Sequence, residues 1–102
     1  MSEQNEQPEI YVGEKPLGNY VKAVKYRLNE LTEATVVARG NFIRKAVDAA
    51  EIVKREEDNV EIVDVATDTE RGENPDGGTF MTSKIEIDLE GEVELETEEK
   101  EE

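Results

Sequence analysis

Two short segments of this chain set cations beside turn residues, and the chemistry open to them is the holding of an anion. Gly13-Glu14-Lys15-Pro16 joins a β-type run to a helical pattern, and Arg39-Gly40-Asn41-Phe42-Ile43-Arg44-Lys45 does the same further on. A helix start carries free backbone N–H groups and the positive end of the helix dipole, so it suits a phosphate. Lys15 in the first segment, and Arg39, Arg44 and Lys45 in the second, would add full charges there. Cations oppose the dipole in that position, whereas a merely solvated helix start favours acids. An ordinary charged turn is the competing reading of the first segment. Lys22, Lys25 and Arg27 line the outer side of the first helix, where a solvated polar face is the competing reading. Arg71 has only Glu70 and Glu73 as local partners, so it is either solvent decoration or the tip of an arm that reaches a groove.

Other chemistry is excluded or unsupported. The chain has no Cys and no His, which removes disulfides, thiolate catalysis, the usual zinc sites and His-based triads. With 27 acids in 102 residues, carboxylate pairs arise by chance almost anywhere and do not indicate acid–base catalysis or Mg²⁺. Asp68 to Asp76 lacks the spacing of a calcium loop, and Gly13 and Gly18 form no phosphate-binding glycine motif. The reading is a nucleic-acid binder and not an enzyme, with no cofactor, metal or small-molecule substrate. No apolar run approaches the ~18 residues of a membrane span. The N-terminus has neither a basic nor an apolar leader region, so a soluble cytoplasmic protein is expected.

A net charge of −15 argues against nucleic acid at long range, but the charge is polarised along the chain. Residues 1–9 carry three acids and no cation, residues 10–55 carry nine Lys or Arg against five acids, and residues 56–102 carry three against nineteen. The positive charge is concentrated in the half that holds both turns.

The elements that must position these residues are legible from periodicity. Ile10-Tyr11-Val12 reads as a first strand. A helix opens at Lys15-Pro16, with Pro where its missing N–H costs nothing. Leu17, Tyr20, Val21, Val24, Leu28 and Leu31 then form one apolar stripe. Ala34 to Ala38 is the pattern of a strand buried on both faces. Asn41 is expected to cap a second helix, which runs to about Glu56 with Ile43, Ala46, Val47, Ala50 and Val53 on its inner face. Val60–Thr69 and Thr79–Leu89 read as strands joined by a hairpin turn over residues 70–78. The order is βαβαββ, an α+β two-layer fold: a mixed four-stranded sheet with both helices on one face, because crossovers of one hand fall on one side. Residues 1–9 are expected to be a flexible acidic segment and residues 10–89 the folded domain. Residues 90–102, with eight Glu, are expected to be a disordered tail, in which Val93 and Leu95 alternate with Glu and could briefly extend the last strand.

The stretches GEKPLGNYVKAV, VVARGNFIRKAVDAAEIVKR, VEIVDV and SKIEIDL closely resemble the Alba family of archaeal chromatin proteins, over roughly residues 10–89. The motifs K-P-x-x-N-Y-V and A-R-G-x-x-I-x-K-A-V-D carry the likeness. The resemblance implies the βαβαββ fold, a homodimer, and sequence-independent binding to the phosphates of duplex DNA or RNA, in association with the chromosome. It also implies a basic body built from the helix starts and a hairpin arm that enters the minor groove. The residues it points to are Lys15, Asn19, Lys22, Arg39, Gly40, Asn41, Arg44 and Lys45, with Arg71 on the arm. Four departures from the pattern stand out, the first being Arg44 where the family often has a small residue. Glu14 stands where the family has its first lysine, and Asn41 where a basic residue is common. Glu56-Glu57-Asp58 lacks an aromatic implicated in dimer–dimer contacts.

Two explanations fit an acidic member of a basic family. In a salt-loving host the acids keep the protein soluble where the Debye length is ~3 Å. Alternatively the acidic C-terminus competes with nucleic acid for the patch. The competing function is an RNA-associated or protein-interaction subunit of a ribonucleoprotein that has weakened or lost DNA binding.

Overall fold

A computed structural model describes residues 7–95 of the chain. The first strand, β1 (Glu9–Tyr11), lies parallel to β2 (Glu33–Arg39), with Ile10 level with Val36. Between them runs helix α1 (Leu17–Leu31), and after β2 a short 3₁₀ turn (Gly40–Phe42) leads into α2 (Ile43–Glu56). Strands β3 (Glu61–Glu73) and β4 (Thr79–Glu90) form a long hairpin. β4 is antiparallel to both β2 and β3, so the sheet order is β1-β2-β4-β3. This is the expected βαβαββ architecture.

The core shows why these elements hold together. Alternate residues of the strands, Ile10, Ala34, Val36, Ala38, Ile85, Ile87 and Leu89, point to one face. There they meet Tyr20, Val24 and Leu28 of α1 and Ala46, Ala49, Ala50 and Val53 of α2. Each large side chain fully buried there contributes on the order of 1.5–3 kcal/mol, against ~0–1 kcal/mol for an exposed ion pair. The core, not the abundant surface charge, sets the stability. Val37 is buried on the opposite face, between Tyr11 and Glu86, so the centre of β2 is indeed covered on both sides.

Several local expectations are corrected. Helix α1 begins at Leu17 with Pro16 as its extended N-cap, one residue later than the pattern suggested. Asn41 is no cap: it sits inside the 3₁₀ turn, and Phe42 takes the N-cap position without a side-chain hydrogen bond. Val47 is 37% exposed and Ala49 is buried instead, because α2 packs on the sheet and on α1 at once. The three alanines at 46, 49 and 50 permit that close approach. The hairpin turn is confined to Asn74–Gly78, closed by Asn74 N–H to Gly78 O at 2.7 Å and Gly77 N–H to Asn74 O at 3.0 Å. Strand β3 therefore runs to Glu73, and a β-bulge lies between Ile62 and Asp64.

Both ends of the domain extend beyond residues 10–89. The carbonyl of Pro8 accepts from Thr35 N–H at 2.7 Å, and Glu9 pairs in β1. Glu90 ends β4, and Gly91 turns the chain at φ 147°. Val93 is then buried, Leu95 packs against the core, and Asn29 Nδ2 donates to Val93 O at 2.8 Å. Glu90 thus lengthens the strand by one residue, and residues 91–95 are neither tail nor strand but a strap across the end of α1. Residues 1–6 and 96–102, where the rest of both acidic segments falls, lie outside the described residues.

Candidate nucleic-acid interface

Because β1 and β2 are parallel, their C-terminal ends share one end of the sheet, and both strand-to-helix turns lie there. The same end holds the root of the hairpin, since Arg39 is level with Lys84 in β4 and Lys84 with Asp68 in β3. Beyond that row, Thr69–Glu73 and Thr79–Ser83 project as an arm of five residues per strand, about 17 Å long at ~3.4 Å per residue. Arg71 lies on the arm, exposed and opposite Met81.

The first turn is held from two sides. The Tyr20 hydroxyl accepts from Gly13 N–H at 2.9 Å and Lys15 N–H at 3.1 Å. The Lys45 ammonium donates to the carbonyls of Gly13 at 2.9 Å and Lys15 at 2.7 Å. It also stands 5.7 Å from the centroids of the Tyr20 and Phe42 rings, within range of a cation–π attraction. The backbone of the turn is fixed and the Lys15 side chain is left exposed. Lys45 is half-buried and turned inward, so its first role is to position Lys15.

The second turn depends on Gly40, whose φ of 59° lets the chain swing from β2 into the 3₁₀ turn. Neither helix has an acid in its first turn or a side-chain cap. The Ile43 N–H of α2 bonds Gly40 O and the Asn19 N–H of α1 bonds Pro16 O at 2.9 Å, so an anion would meet the N–H groups of Leu17 and Gly18 at the start of α1. Arg44 projects with its side chain 92% exposed, and Asp48 is a loose partner at 3.9 Å. Asn19, Lys22 and Asn41 are exposed as well, with Lys22 one turn along α1 from the cluster.

Arg39 does not project freely. Its Nε donates to Glu70 Oε1 at 2.7 Å and its Nη2 to Glu70 Oε2 at 3.3 Å, on the sheet face away from the helices. This contact holds the Glu70 carboxyl below the usual carboxylate range and raises the Arg39 pKa. Lys84 Nζ lies 3.8 Å from the same Glu70 and 3.0 Å from Glu86. Its pKa is raised first by Glu86. Sequence reasoning missed Lys84. The available signal was its place as the one cation among Glu86 and Asp88 on that face of β4.

The structure thus gathers Lys15, Asn19, Arg39, Gly40, Asn41, Arg44 and Lys45 at one end of the sheet and places Lys22 and Arg71 on its two flanks. Among the described residues no carboxylates cluster in a way that would hold a metal, and no helix is long and apolar enough to cross a membrane.

Comparison with known proteins gives a consistent outcome. Residues 8–69 match the Alba family. The DNA/RNA-binding protein Alba 1 of Archaeoglobus fulgidus is 44% identical over 82 residues, covering 78% of this chain and 91% of that protein. The DNA/RNA-binding protein Alba of Nanoarchaeum equitans is 40% identical over 86 residues, covering 80% and 96%. Among solved structures, Alba from Thermoplasma volcanium superposes with a TM-score of 0.72 at 37% identity, over 80% of this chain and 98% of that one.

Proposed function

The chain belongs to the Alba family, and from that premise we propose that it binds duplex DNA or RNA through the phosphate backbone, without regard to sequence, as an architectural homodimer. The observation that carries this reading is the meeting of both strand-to-helix turns and the arm root at one sheet end. That end presents exposed Lys15 and Arg44 beside two uncapped helix starts. Phosphates need point charges and backbone donors in fixed places, and the Tyr20–Lys45 frame fixes them. Names of relatives at 40% identity and above support nucleic acid as the ligand. The same reading implies no enzymatic activity and a location on the chromosome in the cytoplasm.

Apolar residues left uncovered support the dimer. Val65 and Met81 lie on the helix side of the β3–β4 hairpin, where the helices do not reach, and are 53% and 66% exposed. Val47 on α2 is exposed too. A second copy would remove this surface from water. One observation favours the competing interaction-subunit reading: Arg39 and Lys45 are already engaged within the chain. Titration of labelled duplex DNA and RNA of unrelated sequences separates the two. The proposal expects similar affinity for the sequences and weaker binding by Arg44→Ala; equal, weak binding by both proteins contradicts it.

A further inference from the structure

The register of β2 and β4 puts two cations side by side on the outer sheet face, Arg39 directly opposite Lys84. Such a pair repels unless anions lie near it; Glu86 stands 3.0 Å from Lys84, and Glu70, reaching back from the first residues of the arm, is the carboxylate that meets both cations, 2.7 Å from Arg39 and 3.8 Å from Lys84. Its carboxylate takes the Nε–Nη2 edge of the guanidinium through both oxygens, at 2.7 and 3.3 Å. That is the fork by which arginine also grips a phosphate. All three side chains remain solvent-accessible, 43% for Arg39, 40% for Glu70 and 21% for Lys84, so an external anion can reach the pair.

We propose that Arg39 and Lys84 form a phosphate subsite at the arm root, which the chain's own Glu70 occupies until a nucleic-acid phosphate displaces it. The inference rests on the nucleic-acid reading above and adds a contact residue, Lys84, and an internal competitor to it. Displacement exchanges one charge-assisted pair for another, so its net gain is small, and the freed Glu70 then stands close to the bound phosphate. Glu86, 3.0 Å from Lys84, opposes the phosphate in the same way. The subsite therefore lowers affinity in the resting protein without removing the cations that nucleic acid uses.

The test is a set of low-salt anisotropy titrations of a short labelled duplex with the full chain. Glu70→Gln keeps the shape of the side chain and is expected to tighten binding roughly fivefold, the size of an exposed ion pair released. Glu73→Gln makes the same charge change on the other face of the same strand and is expected to give a clearly smaller gain. In an Arg39→Ala background Glu70→Gln is expected to gain little. Lys84→Gln is expected to make the salt dependence shallower by about one ion. If wild type binds but Glu70→Gln gains nothing, or no more than Glu73→Gln, the internal competitor is overturned and the nucleic-acid reading stands. If neither wild type nor Glu70→Gln binds duplex at low salt, both fail together.

Discussion

Residues that carry charge at this surface divide by what their side chains touch. Lys15 and Arg44 face solvent, whereas Lys45 points inward to two carbonyls. Substitution distinguishes a contact from a positioner. On the proposed function, Lys15→Ala is expected to weaken binding and make its salt dependence shallower by about one ion, with little change in stability. Lys45→Met leaves two carbonyls without their donor, and urea unfolding is expected to show a loss of about 1–2 kcal/mol. Tyr20→Phe removes the acceptor shared by Gly13 and Lys15 N–H. It is expected to cost about 1 kcal/mol and to speed hydrogen exchange at those two amides. Unchanged exchange there would contradict the frame. The roles of these side chains were hidden in the sequence for a plain reason. Lys45 is 32 residues from Gly13, and Arg39 is 31 from Glu70, so each partner is set by the tertiary fold and no local spacing records it.

Elements, by contrast, were largely legible, because each helix and strand buries a stripe or an alternation that periodicity exposes. The apolarity of Val47 predicts an inward place, yet small Ala49 takes that place because close helix packing favours Ala over Val. The nine-residue turn was expected from polar, turn-rich composition, but strand pairing carries an exposed arm to Glu73 whatever its composition. The alternation of Val93 with Glu suggests a brief extension of the last strand, but the turn at Gly91 carries Val93 into the core instead. A Cβ at Gly91 would clash with the backbone oxygen of Asn59, and its φ is 147°. Gly91→Ala is therefore expected to destabilise by about 2 kcal/mol or more, read from the urea midpoint. Between elements, Lys25 ties α1 to the end of α2 through Glu56 at 2.7 Å and Glu57 at 3.4 Å. This lowers the Glu56 pKa and raises that of Lys25. The stabilisation is complete above the ordinary carboxylate range and is lost as pH falls through the lowered Glu56 value. At the other limit it is lost as pH rises through the raised Lys25 value. Glu56→Gln should flatten the acid limb of stability against pH; an unaltered limb would count against the pair. On the uncovered side of the hairpin, Val65→Asp is expected to yield a folded monomer in sedimentation, since Val65 is 53% exposed and lies outside the buried core.

The whole molecule sets the scale of binding. Its extents of 58 × 30 × 23 Å reflect an arm standing off a compact body, and its charge of −15 opposes any polyanion at a distance. Residues 96–102 hold five Glu and one Lys, and they can be removed without touching Val93 or Leu95. If these acids compete for the patch, truncation at Leu95 raises duplex affinity at low salt and leaves it unchanged at high salt, where the competition is screened. Flat affinity at low salt would leave adaptation to a salty surrounding as the account of the acidity. On the proposed function, a few fixed cations at one sheet end hold phosphates despite that charge. The most direct test is the slope of log affinity for duplex DNA against log salt, for wild type and Lys15→Ala side by side. A linear fall with salt is expected for wild type and a slope shallower by about one ion for the variant. Identical slopes and affinities for the two proteins would contradict that function.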